Sequence, residues 1–246
     1  MGDPTAPALL ILALAALAWF QRNSVRNFAA FAKIEDTRLR QRNFLLWAVQ
    51  GCALYLGMPI LGLALLGRLE TLSCLYIPSE FWALAEPLPL IRPSDMWGFA
   101  LGMAIGLPIV AVAFLIRRPR PARPRKPFKI APLMARNRAE ALALVPLILN
   151  AGISEEIFCR LYLPLLMVLS GIDAGIAFVA TTLLFGALHR YQGWVGVLLT
   201  TVLGGLFALA YLAADGLWLP VAFHLFINFN SLLLNPAMRH ATTRRD

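Results

Sequence analysis

Charge is scarce in this chain, and its cysteines form no pattern. Only 14% of the 246 residues are Asp, Glu, Lys or Arg, where a soluble domain has about a quarter. Hydrophobic residues make up 59%, so a soluble globular domain is excluded and a polytopic membrane protein implied. Cys52, Cys74 and Cys159 stand at no metal or redox spacing; Cys52 and Cys159 fall in apolar runs and read as packing residues. H-E-x-x-H is absent, which removes the usual helical zinc-protease signature. No internal repeat is visible, which argues against a transporter built from paired halves. A secretory leader is not expected either: Ala6–Phe20 is apolar, but no basic residue precedes it and Asp3 is the only charge there. The net charge of +9 has no folded basic module behind it, so no nucleic-acid partner is expected. The basic residues sit between apolar runs, as the positive-inside rule describes.

The apolar runs predict an all-α bundle of about seven spans. They are Ala6 to about Phe20, Phe44–Gly67, Met96–Ile116, a long region Ala139–Gly171, Asp173–His189, Trp194–Ala213 and Leu217 to about Asn235. A basic loop, Arg22 to Arg42, follows the first span, and Trp47 and Tyr55 in the second read as interfacial or packing aromatics. Arg117 to Pro127 alternates Arg and Pro and reads as an extended cytoplasmic linker anchored on an anionic leaflet. Residues 1–138 therefore read as N-terminal helices plus this linker, and 139–246 as a core of four helices. The region Ala139–Gly171 exceeds one crossing, so Glu140–Asn150 reads as an interfacial or re-entrant lead-in, with Ser154 capping a restarted helix. An outside N-terminus leaves the acidic loops outside and the basic ones inside, with only Arg68 and Arg92 misplaced.

Charge reappears where it costs most, in Ser154-Glu155-Glu156-Ile157-Phe158-Cys159-Arg160. Ionisable groups at membrane depth are expensive and mark function. Glu156 and Arg160 are four apart on one helical face and can pair. Glu155 points elsewhere, in line with Cys159, and has no local cation. A carboxylate held by a guanidinium is electrostatically satisfied, whereas one without a cation in a low-dielectric cavity suits acid–base work. Helical geometry thus favours Glu155 over Glu156 as the base. Three more polar residues stand in the C-terminal spans: His189, after Phe185, and the pair His224 and Asn228, four apart on one face. A carboxylate can deprotonate water, a histidine can orient it, and a His/Asn pair can donate to an oxyanion. If the fourth, fifth and seventh spans are neighbours, these groups meet in a pocket open to the cytoplasm.

The motifs E-E-x-x-x-R (Glu155 to Arg160), F-x-x-x-H (Phe185 to His189) and H-x-x-x-N (His224 to Asn228), in that order on successive membrane helices, resemble the CPBP intramembrane proteases. That family takes its name from CAAX prenyl endopeptidases and bacteriocin-processing proteins and is also called Abi. The resemblance spans about Ala139 to Asn235. It implies a glutamic-type endopeptidase in which Glu155 activates water, His189 assists, and His224 with Asn228 forms the oxyanion hole. Glu156, Arg160 and Phe185 are then supporting residues, and no cofactor is needed. In many relatives a glycine follows the motif arginine, where this chain has Leu161, and the chain ends soon after the third motif. Both departures leave the subfamily open. The implied substrate is a membrane-associated protein or peptide, a C-terminal sorting tail being one class. The short Ala/Leu/Arg-rich loops point to a bacterial multi-pass protein of the inner membrane, where prenylated CAAX substrates are not expected.

Two other readings compete. Glu155 or Glu156 with His189 and His224 makes a His₂Glu set suited to catalytic zinc, although the ligands come from three separate helices. A non-catalytic scaffold or immunity protein would use the same polar groups as helix–helix glue.

Overall fold

The computed structural model describes residues 4–73, 76–89, 91 and 131–234. Every regular element among them is helical. The main helices are α1 (Thr5–Phe31), α2 (Thr37–Leu65), α3 (Arg138–Leu169), α4 (Ala174–Leu188), α5 (Gly193–Ala213) and α6 (Trp218–Phe229), the last continued by a wide turn to Leu234. Helices α1, α2 and α3, and α5 with the turn before it, are long and apolar enough to cross a membrane; α4 and α6 are shorter and equally apolar. The chain is a helical membrane bundle, as its composition implies. The expected span Met96–Ile116 and the Arg/Pro linker lie outside the described residues.

Helix starts follow local chemistry. Asp36 accepts from Leu39 N at 2.8 Å, Asn137 from Glu140 N at 2.9 Å and Asp173 from Ile176 N at 3.1 Å, capping α2, α3 and α4. Gly171, at φ 88, supplies the left-handed residue that turns the chain out of α3.

Two expectations are corrected here. The first helix does not stop near Phe20 but runs to Phe31, so Arg22 and Arg26 are helical rather than loop residues. Long basic side chains need not end a membrane helix, because their heads reach back to water. The region from residue 138 to 169 is one unbroken helix despite Pro146, with no lead-in and no restart. Ser154 caps nothing; its hydroxyl donates to Asn150 O within the helix, at 2.7 Å. Glu155 consequently lies roughly 26 Å along α3 from Arg138, at 1.5 Å per residue.

Both α2 and α3 contain a π-helical turn, at Ala53–Gly57 and Ile157–Tyr162. In each the backbone bond reaches five residues back, from Met58 N to Ala53 O and from Leu163 N to Phe158 O. Pro59 and Pro164 follow directly, and a proline removes an N–H that the regular ladder would need. The two wide turns pack together, with Tyr55 edge-on to Phe158 at 5.4 Å. Such turns gather at functional sites, and the one in α3 begins directly after Glu156.

Helix α3 packs against α4 and α6, and α5 packs against α4 and α6, while α2 also lies along α3. Helices α4 and α5 approach closely because Gly186 has no side chain; a Cβ there would collide with Thr201. At the other end of α3, Glu140 is fully buried. Arg40 Nε reaches its Oε2 at 3.0 Å and Arg136 Nη2 its Oε1 at 3.0 Å. The Arg40 guanidinium also lies over the Phe31 ring at 4.5 Å and donates to Pro132 O at 2.8 Å. This node ties the starts of α2 and α3 together. Arg136 and Glu140 are four apart, but nothing local in the sequence marks the Arg40–Glu140 pair, whose members are a hundred residues apart. Cys159 is buried as expected, but Cys52 is exposed rather than packed.

Candidate active site

Helix α3 delivers adjacent carboxylates to opposite surroundings. Glu156 is fully buried. Its Oε1 lies 2.6 Å from His224 Nδ1, and its Oε2 lies 3.1 Å from Arg160 Nε, an ion pair without hydrogen-bond alignment. The expected Glu156–Arg160 pairing is therefore present, and a bond to His224, 68 residues away, is added to it. Arg160 is itself buried; its Nη2 donates to Gly204 O at 3.3 Å and its guanidinium lies 4.2 Å from the Phe185 ring centroid. Glu155 is half-buried and makes no hydrogen bond or ion pair with any described residue.

Glu155, His189, His224 and Asn228 all line one cavity of about 690 Å³. Helices α3, α4 and α6 thus bring the four sequence-expected residues together. Phe185 stands among them, 4.7 Å from the His189 ring and 6.0 Å from that of His224, which also stacks on Phe207 at 5.2 Å. The histidines share one hydrogen-bonding logic. His189 Nδ1 is 2.8 Å from Phe185 O, and His224 Nδ1 is 2.6 Å from the Glu156 carboxylate. Carbonyl and carboxylate oxygens only accept, so both Nδ1 atoms donate and Nε2 is the nitrogen left on each ring. Among the described residues, no group of three or more His, Cys, Asp and Glu is arranged to hold a metal ion.

The cavity is not confined to the C-terminal core. Helices α1 and α2 form its opposite wall, with Phe20, Phe28, Gln50 and Tyr55 among the lining groups. Tyr191, on the turn after α4, lies 5.9 Å from the His189 ring and 5.0 Å from Phe28. Nothing in the sequence connects the first two spans to the site. Their polar residues belong to no motif, and only packing reveals which way they face.

Known proteins bear on this arrangement through one segment. Residues 137–230 match the family described as type II CAAX prenyl endopeptidase Rce1-like. No curated protein and no solved structure matches the chain. The matched segment runs from the cap of α3 to the end of α6 and contains all three motifs. The match over that segment supports assigning it to the CPBP family of CAAX-type membrane proteases.

Proposed function

We propose that this protease cleaves a peptide bond of a membrane-associated protein or peptide, with Glu155 as the base that activates water. Water attacks the substrate carbonyl while Glu155 takes its proton, and His189 Nε2 orients the water from the other side. The carbonyl oxygen becomes an oxyanion that accepts from Asn228 Nδ2 and from His224 Nε2. When the C–N bond breaks, the proton held by Glu155 goes to the leaving amine. Because His224 Nδ1 already donates to Glu156, its Nε2 can donate only in the doubly protonated ring. Glu156 then carries the counter-charge, a role beyond supporting Arg160. The mechanism uses no metal. A C-terminal sorting tail in a bacterial inner membrane is the substrate class we favour.

One observation carries this reading: of the adjacent pair, Glu155 is the carboxylate with no hydrogen bond or ion pair to a described residue, and it faces the same hollow as two histidines whose Nδ1 atoms are engaged. The test is kinetic. Wild-type, His189→Ala and Asn228→Ala proteins in liposomes are given peptides carrying C-terminal sorting tails. Products are read by mass spectrometry. Both variants should lose about 10²-fold or more in kcat with KM little changed, as for groups acting mainly in the transition state. Variants that change KM alone would show that these residues only bind.

A further inference from the structure

The cavity wall carries polar groups that this chemistry does not use. Asn27 on α1, Gln50 on α2 and Asn150 on α3 line it, and none of their side chains bonds to a described residue. Asn150 lies at the α2–α3 contact: a Cβ on Gly51 would come 2.8 Å from its Nδ2. It therefore reaches α2 beside Gln50. Apart from the His224 ring, charge is almost absent from the wall, which holds one carboxylate, Glu155, and one guanidinium, Arg26. A cavity of this size with unpaired amides and little charge suits a neutral ligand that both donates and accepts hydrogen bonds. A carboxamide offers two N–H groups and a carbonyl, the complement of a peptide unit.

Substrate chemistry supplies the need for such groups. A membrane segment must lose helical bonds before its carbonyl can be attacked, and no water in the hydrocarbon replaces them. Resting on the peptidase reading above, we infer that Gln50 and Asn150, with Asn27 beyond them, bind the main chain of the unwound substrate beside the scissile bond. Asn150 precedes Glu155 by five residues, roughly 7 Å along the helix. That is about two residues of extended chain at roughly 3.3 Å each, a lower bound because the two side chains leave the helix in different directions, so Asn150 addresses a peptide unit two or more residues from the bond cut. The ligand class is a neutral extended polypeptide recognised through its backbone.

The test uses the full chain in detergent with Glu155→Gln, so that bound peptide persists. The probes are fluorescein-labelled decapeptides of Ala, Val and Leu with blocked ends, intact or N-methylated at single positions. Methylation at one unit should weaken binding about three- to tenfold, the range of one hydrogen bond. Adding Asn150→Leu should weaken the intact peptide similarly and abolish sensitivity at that unit. Gln50→Leu, on the open cavity wall, should do the same at a neighbouring unit and guards against misfolding of the Asn150 variant. Equal affinity for intact and methylated peptides, no binding at all, or methylation penalties unchanged in both variants would overturn the inference. Cleavage of the same peptides by wild type is scored separately. Methyl-sensitive binding without cleavage defeats the peptidase reading alone, and cleavage with methyl-insensitive binding defeats this inference alone.

Discussion

Replacing Glu156 by Gln separates folding from chemistry at one position. The change keeps the size of the side chain and removes its charge. Arg160, 2% exposed, would then keep the Gly204 carbonyl at 3.3 Å and the faces of Phe185 and Phe207, but no carboxylate among the described residues. Removing one member of a buried ion pair costs about 3–5 kcal/mol, because the remaining charge is uncompensated, whereas replacing both is often nearly neutral. Glu156→Gln should therefore lose about 3–5 kcal/mol, and Glu156→Gln/Arg160→Met should recover most of that. Activity should not recover with it. In both variants His224 has lost the carboxylate that fixes its ring. Loss of such an orienting carboxylate can lower kcat by up to about 10⁴-fold. Unfolding measured in lipid nanodiscs, with kcat corrected for the folded fraction, reads both quantities. If the double variant is as unstable as the single one, Arg160 is not the partner that matters. If it regains both stability and kcat, Glu156 does not orient His224.

Other outcomes follow from the packing and the chemistry. Gly186→Ala should cost about 1–3 kcal/mol by overpacking the α4–α5 contact, and Thr201→Ala added to it should recover part of that loss in thermal melts. Glu140→Gln should destabilise the protein by about 3–5 kcal/mol, because Arg40 is left buried, while kcat per folded molecule stays at the wild-type value. Prolonged chelation should leave cleavage intact under the glutamate mechanism; loss restored by zinc alone would instead favour the His₂Glu reading.

The residues of the candidate site were legible as a group because helical spacing reports faces. Glu155 and Glu156 part company, Glu156 meets Arg160, and His224 aligns with Asn228, all within one or two turns. What the sequence hid depends on distant segments. The Glu156–His224 bond joins residues 68 apart, and the Arg40–Glu140 pair joins two helix starts. Helix ends misled for opposite reasons. Arg22 looked like a boundary, yet its charged head can reach water while the backbone stays helical. The length of the region and Ser154 suggested a break in α3, yet the helix runs continuously through residues 138 to 169. The wide turns have a signal only in retrospect, the prolines at 59 and 164. Gln50 and Asn150 were silent because an isolated amide in an apolar run does not say whether it faces lipid, a helix or a cavity.

The most direct test of the central claim compares wild type with Glu155→Gln, both folded and reconstituted in the same liposomes with the same sorting-tail peptides. The account predicts discrete new termini from wild type, and at least about a 10³-fold lower rate from the variant, which lacks the base that activates water. Cleavage at the same bond and a similar rate by Glu155→Gln would contradict it.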